Sequence, residues 1–184
     1  LSTTPVPSMP PREVFLKMLA SPNIASRFPV YQQYDYHVQT NTVIEPGGDA
    51  ALLRLKGSKK GIAISTDCNS RICYLDPNIG ASIAVAEACR NISVTGAIPI
   101  ALTDGLNFGN PETPDVQFQL TESICGITRA ADAFDIPIVS GNASMYNESL
   151  GSAIFPTPII GSLGLLEDAE KHSTIGFKSQ GHII

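Results

Sequence analysis

Residues 98–112 decide the fold, and they read IPIALTDGLNFGNPE. The apolar run from Ile98 to Leu102 predicts a buried strand that ends near Asp104. A polar segment rich in asparagine and glycine follows, and Pro114 stands where a helix can begin, because proline suits the first helical turn. This order of strand, polar loop and helix places side chains at the carboxyl end of a strand, where open α/β sheets bind ligands.

A second segment, residues 136–146, repeats this pattern and reads IPIVSGNASMY. Pro99 and Pro137 are 38 positions apart, and so are Asp104 and Asn142. If a helix connects the two strands, the strands run parallel and both loops open at the same edge of the sheet. The repeat therefore predicts a ligand site in which the Asp104 carboxylate and the Asn142 amide lie side by side.

The rest of the chain shows an alternation of helical and strand patterns. Helical spacing of apolar residues is clearest at 114–134, and it also occurs at 12–20. A third helix is predicted from Pro77 onward, with a face of small residues that allows close packing on a sheet. Short apolar runs between turn signals predict further strands, at residues 50–56, 61–66, 71–75 and 153–166.

Composition excludes several functional classes. The 184 residues are 43% hydrophobic and 16% charged, with a net charge of −5, so no basic surface for nucleic acid is expected. No apolar stretch approaches the roughly 20 residues that span a bilayer, and the first residues do not resemble a signal peptide. The four cysteines show no CxxC spacing, which favours buried, reduced thiols in a cytoplasmic protein.

The two polar segments contain oxygen ligands but little acid–base chemistry. Asp104 could bind a metal or a nucleotide, or it could cap a turn. Asn142 together with Ser144 suits Mg²⁺ that is shared with a phosphate group. Asp67 could also face the site, although a role in the turn after its strand is the simpler interpretation. Neither a GxxxxGK[ST] nor a GxGxxG motif is present.

No catalytic residue is predicted. The three histidines, His37, His172 and His182, lie outside both polar segments, and Ser144 has no evident base partner. Glycines in these segments, Gly141 among them, would let backbone amides approach a phosphate.

The chain resembles the phosphoribosylformylglycinamidine synthase family. The resemblance is carried by Tyr74–Asn110, by the motif TDGLNFGNPE and by SGNASMYNE at residues 140–148. It is closest to the second half of the family's synthetase part. The resemblance implies an ATP-dependent carbon–nitrogen ligase of purine biosynthesis, which converts formylglycinamide ribonucleotide and glutamine-derived ammonia to formylglycinamidine ribonucleotide.

The resemblance also implies an architecture. It predicts an α+β domain like the N-terminal domain of aminoimidazole ribonucleotide synthetase, with a mixed four-stranded sheet and helices on one face. The other sheet face would be available for barrel-like pairing with the first half of the enzyme. Residues 1–11 carry four of the 14 prolines and are expected to form an extended linker, while the resemblance predicts the domain at 12–170 and the start of a following domain, cut short, at 171–184.

Site residues follow from the matching motif positions. Asp104 and Gly141 match ATP-binding positions, Asn142 a magnesium position and Ser144 a position that contacts the ribonucleotide. The family's catalytic histidines lie in the first half, so the fragment alone is expected to be inactive and able to dimerise through its sheet. Expected partners are the first half and a glutaminase subunit or domain. The alternative is a non-catalytic pairing module with an auxiliary nucleotide site.

Overall fold

The structure is a computed structural model that describes residues 8–182. The chain divides into two compact units, one up to Asp35 and one from Tyr36 onward. The first unit contains α1 (Pro11–Leu19) and α2 (Phe28–Tyr31). The spacing at residues 12–20 therefore predicted α1 correctly. The predicted linker lies mostly outside the described residues, as do the last two residues of the predicted following domain.

The described part of the second unit contains a mixed sheet, three α-helices and two short 3-10 helices. Its strands are, in chain order, β1 (Thr42–Ile44), β2 (Ala51–Arg54), β3 (Gly61–Asp67), β4 (Ile98–Asn107), β5 (Ile138–Ser144), β6 (Glu148–Ser149), β7 (Ser152–Ala153) and β8 (Thr157–Leu166). Its helices are α3 (Ser70–Leu75), α4 (Pro77–Ser93) and α5 (Pro114–Phe134). Strands β6 and β7 pair only with each other, as a small hairpin.

Six strands form the main sheet, in the spatial order β1–β2–β3–β8–β4–β5. Strands β4 and β5 are parallel, and every other neighbouring pair is antiparallel. The sheet does not close into a barrel. The expected α+β class with a mixed sheet is confirmed, but the expected number of four strands is wrong. The sheet continues through β1 and β2, and β1 has only three residues, which is too short for an alternating pattern to reveal it.

Residues 71–75 were predicted as a strand, and the structure shows that they belong to helix α3. The side chain of Asn69 accepts a hydrogen bond from the backbone N–H of Ile72, which caps the first turn of this helix. An apolar run of five residues does not distinguish a strand from a buried helical turn. The polar cap before the run was the informative signal.

Helices α4 and α5 cover one face of the sheet, called here the helix-covered face. The small residues of α4 enter a buried cluster with Leu102, Ile127, Ile160 and neighbouring apolar side chains. A Cβ at Gly126 of α5 would collide with the carbonyl oxygen of Asn78 in α4. The two helices therefore pack at a distance that only glycine allows at this position.

The opposite face of the sheet, called here the open face, carries exposed side chains. Ile64 of β3 and Ile159 of β8 are each 40% exposed, whereas Leu52 and Ile160 on the helix-covered face are fully buried. A face of this kind fits the expected pairing surface. No helix in the described part of the chain has the length and apolar character to cross a membrane.

The cysteine prediction is partly correct. All four cysteines are free; Cys73 and Cys89 are buried and Cys68 is half-buried, but Cys125 is exposed. Cys125 lies on α5, whose outward side faces solvent.

The close contact at Gly126 yields a stability prediction. Gly126→Ala should lower the free energy of unfolding by about 1–3 kcal/mol, because the added methyl group forces α5 away from Asn78. Gly176→Ala is the matched control, since a Cβ there meets no atom within 4 Å. Chemical denaturation of both variants checks this, and equal stability of the two would contradict the packing argument.

Candidate functional site

Strands β4 and β5 carry the predicted site, and both continue further than the sequence indicated. β4 was expected to end near Asp104, but it continues to Asn107, and β5 continues to Ser144. Asp104 and Gly105 pair with β8 on one side and with β5 on the other. Hydrogen bonding from both neighbours holds these residues extended, and it overrides the local turn propensity of aspartate and glycine. The predicted parallel pairing is confirmed.

The register between these strands differs from the sequence repeat by one residue. An irregularity after Leu102 places Asp104 opposite Gly141, and Gly105 opposite Asn142. Since side chains alternate between faces along a strand, Asp104 and Asn142 lie on opposite faces of the sheet. A Cβ on Gly141 would lie 2.5 Å from Asp104 Oδ1, and one on Gly105 would lie 3.5 Å from Asn142 Oδ1. The prediction that the two side chains lie side by side is therefore wrong.

Asp104 lies on the helix-covered face, in a row of cross-strand neighbours. Ile160 of β8 pairs with Asp67 of β3 on one side and with Asp104 on the other, and Gly141 completes the row. Asp104 is half-buried, and burial raises the pKa of its carboxyl group. The Asp104 carboxylate lies against Gly141, in a position that any side chain at residue 141 would obstruct, since a Cβ there would lie 2.5 Å from Asp104 Oδ1.

Asp67 lies on the same face of the sheet, and the pKa of its carboxyl group is also raised. Burial and the neighbouring carboxylate of Glu87 in α4 raise the pKa of Asp67 to about 6, although Arg90 acts in the opposite direction. The interpretation of Asp67 as a turn residue did not predict that its carboxyl group lies beside that of Glu87. The signal is not visible in the sequence, because Glu87 is brought to β3 only by the packing of α4.

Hydroxyl and amide groups line the open face at the same edge of the sheet. Ser140 donates a hydrogen bond to Thr103 across the two strands, at 2.7 Å. Asn107 donates to the carbonyl oxygens of Gly105 and Thr157, at 2.8 and 3.2 Å. Asn142 and Ser144 are two residues apart on β5 and therefore share this face. The structure thus brings Asn142 and Ser144 together, and it separates both from Asp104.

Within the part of the chain that the structure describes, β5 is an edge strand of the main sheet, with β4 as its neighbour. Residues 138–143 are all exposed. The polar side chains of β5 are therefore accessible from solvent.

The polar groups fit a magnesium ion that is held mainly by phosphate and water. Within residues 8–182, no group of three or more His, Cys, Asp or Glu side chains could hold a metal ion. Asn142 offers one exposed, neutral oxygen, and Ser144 offers a hydroxyl on the same face. Mg²⁺ keeps several waters and takes few protein ligands when it binds with phosphates, so this donor set is sufficient.

Two of the three histidines form contacts elsewhere in the chain. His37 Nε2 lies 3.2 Å from a carboxylate oxygen of Glu45, and His172 Nδ1 lies 2.8 Å from the carbonyl oxygen of Ala169. Sequence reasoning missed Asn147, whose side chain contacts both Phe108 and Ser144. Asn147 follows Ser144 by three residues in the sequence, and this spacing alone does not indicate that its side chain contacts Phe108 and Ser144.

Comparisons with known proteins agree on one family. Residues 47–166 match the family model "AIR synthase related protein, N-terminal domain". A relative from Alkaliphilus metalliredigens, the phosphoribosylformylglycinamidine synthase subunit PurL, is 58% identical over 91% of this chain. The chain covers only 23% of that relative.

Solved structures give the same result. The PurLQS structure from Thermotoga maritima aligns with 81% of this chain at 34% identity and a TM-score of 0.76, and 25% of that chain is covered. T. maritima PurL complexed with ATP aligns with 81% of this chain at 33% identity and a TM-score of 0.71, with 24% coverage of that chain. The resemblance inferred from the motifs is confirmed, and the chain spans about a quarter of these relatives.

The Asp67 environment yields a prediction for the pH dependence of stability. Because the pKa of Asp67 is about 6 in the folded chain and 3.8 ordinarily, the folded state releases this proton less readily than the unfolded state. The free energy of unfolding should therefore fall as the pH rises from about 4 to above 6. Urea denaturation across this range should show a shallower fall in Asp67→Asn than in the wild type. Parallel curves would contradict the assignment.

Proposed function

This chain belongs to the AIR synthase related family through its N-terminal-type domain, and we propose that it is a segment of a phosphoribosylformylglycinamidine synthase. The observation that carries the proposal is the 58% identity to a PurL subunit over 91% of the chain. The activity proposed for the full-length protein is the ATP-dependent conversion of formylglycinamide ribonucleotide and ammonia to the amidine. This places it in purine biosynthesis, in the cytoplasm.

The proposed contribution of this chain is binding and orientation. In the reaction, the formamide oxygen of the ribonucleotide takes the phosphoryl group of ATP, and ammonia then displaces phosphate. Such a transfer depends on positioning and on electrostatic stabilisation more than on covalent help from the protein. A bound magnesium ion supplies charge neutralisation at the phosphates. This division of labour is compatible with the absence of histidine from β4 and β5.

Each site residue on β4 and β5 has a proposed role. Asp104 and the backbone at Gly141 contact ATP, and their direct contact supports a shared role, since the missing Cβ at Gly141 lets the carboxylate lie against the backbone there. Asn142 supplies an oxygen to magnesium, and Ser144 contacts the ribonucleotide. The shared open face of Asn142 and Ser144 supports adjacent metal and substrate positions.

The proposed partners are the first half of the same enzyme and a glutaminase subunit or domain. The exposed aliphatic side chains of the open face support pairing with a second sheet of the same kind. The proposed domain covers residues 12–170 and belongs to the second half of the enzyme, and residues 171–184 lead into the next domain.

A second candidate is a non-catalytic pairing module with an auxiliary nucleotide site. The separation of Asp104 and Asn142 onto opposite faces favours it, because the two side chains do not lie side by side in one ligand site as the repeat predicted. The two candidates agree on ATP binding and on pairing, and they differ in whether turnover depends on Asn142.

Turnover of a full-length protein that carries this chain tests the proposal. Ammonia-dependent ADP release should fall on the order of 100-fold in Asn142→Ala, because a ligand that stabilises the transferring phosphoryl group is lost. Circular dichroism should show an intact fold, since Asn142 is exposed.

Asn91→Ala is the control, because Asn91 lies near the end of α4, away from β5. Near-normal activity of both Asn142→Ala and Asp104→Asn would overturn the ligase site and favour the pairing module. Absence of ADP release from the unsubstituted protein would overturn the proposed function itself.

The isolated 184-residue chain should show no ADP release and should dimerise through its open face. Ile64→Lys should shift it to monomer, since the added charge lies on that face. Leu150→Lys is the control, because Leu150 is fully exposed in the turn between β6 and β7. Sedimentation equilibrium checks this, and a strict monomer at high concentration in the unsubstituted chain would contradict it.

A further inference from the structure

Asn147 connects the ends of strands β4 and β5 through its side chain. Its Nδ2 donates hydrogen bonds to the carbonyl oxygen of Phe108, at 3.0 Å, and to that of Ser144, at 2.8 Å. Its backbone N–H also donates to the Phe108 carbonyl oxygen, at 3.0 Å. Phe108 directly follows β4 and is fully buried, whereas Ser144 is the last residue of β5. One half-buried side chain therefore holds both strand ends.

The chain bends sharply to bring Asn147 into this position. Tyr146 adopts a left-handed backbone conformation, with φ of 59°, which costs free energy for a residue other than glycine. Its N–H donates to the carbonyl oxygen of Gly109, at 2.9 Å. A Cβ on Gly109 would lie 2.6 Å from Ala153 Cβ, so the neighbouring hairpin packs closely against this bend. The contacts of Asn147 are part of what maintains the strained turn.

Asn147 also reaches the hydroxyl group of Ser144. Its Nδ2 lies 3.1 Å from Ser144 Oγ, and the Ser144 hydroxyl can donate to Asn147 Oδ1 at 3.3 Å. The carboxamide offers both a donor and an acceptor, so it restricts the rotation of the hydroxyl. A serine at a free strand end would otherwise exchange among rotamers.

We propose that Asn147 is a positioning residue that fixes the Ser144 hydroxyl for the ribonucleotide. This inference rests on the proposed function, because it assumes that Ser144 contacts that substrate. Asn147 itself faces the two strand ends, and it acts through Ser144. Its loss should weaken ribonucleotide binding more than ATP binding, since the Asp104 side chain lies on the opposite face of the sheet from Ser144.

A double-mutant cycle in a full-length protein that carries this chain tests the inference. Asn147→Ala should raise the KM for the ribonucleotide about tenfold, the effect of losing hydrogen bonds worth about 1.4 kcal/mol, and leave the KM for ATP nearly unchanged. Ser144→Ala should produce a comparable loss. The KM of the double variant for the ribonucleotide should be no higher than that of Ser144→Ala alone, because the effect of Asn147 on ribonucleotide binding passes through the Ser144 hydroxyl.

Thr95→Val is the control for a purely structural effect. Thr95 is 2% exposed, and its hydroxyl donates to the carbonyl oxygen of Ile92, at 2.7 Å, in the connection that precedes β4. This variant loses a buried hydrogen bond at the opposite end of the strand, so it should lower thermal stability without changing either KM. If Asn147→Ala does not fold, Asn147→Ser replaces it in the same cycle.

The outcomes separate the inference from the proposed function. Additive losses in the double variant, an unchanged ribonucleotide KM in Asn147→Ala, or an equal rise in both KM values would overturn the positioning role. If any of these results is obtained while the unsubstituted protein is active, the positioning role is overturned but the proposed function is retained. An inactive unsubstituted protein overturns the proposed function, and the inference with it.

Discussion

The parallel pairing of β4 with β5 is the constraint on which the rest of the site depends. β4 is a central strand, hydrogen-bonded to β8 on one side and to β5 on the other, so its register fixes which side chains share a face. Beyond the irregularity after Leu102, Asp104 pairs with Gly141, 37 positions later in the chain, whereas the sequence repeat has a spacing of 38. A shift of one residue exchanges faces for every side chain that follows, because the strand period is two.

This register creates two different environments at one edge of the sheet. On the helix-covered face, packing of α4 and α5 limits solvation, and the carboxyl groups of Asp67 and Asp104 both have raised pKa values. On the open face, the polar groups are neutral hydroxyls and amides, which need no counter-charge. The two faces therefore offer a ligand different chemistry: titratable carboxyl groups on the helix-covered face, and neutral hydrogen-bonding groups on the open face.

Glycine residues allow close packing both between the helices and beyond the end of β4. Gly126 allows α5 to approach α4, and both helices then lie on the buried cluster that contains Leu102 and Ile160. Ile160 separates the two perturbed carboxylates within one cross-strand row. Beyond β4, Gly109 permits the close contact with Ala153 that supports the bend at Tyr146. The geometry of the site thus depends on its glycine positions as much as on the positions that carry side chains.

The sequence by itself determined helices α1, α4 and α5 and the parallel β-pair through periodicity and repetition, and it determined the family, with the mixed α+β class that the family implies, through motifs of adjacent residues. Only the tertiary structure decided the register of Asp104 against Gly141, the extension of β4 to Asn107, the carboxyl pair of Asp67 with Glu87, and the reach of Asn147 to Phe108. Each of these features depends on contacts between residues that are distant in the chain. A local sequence pattern does not specify which distant residue will be the partner, or in which register two strands will pair.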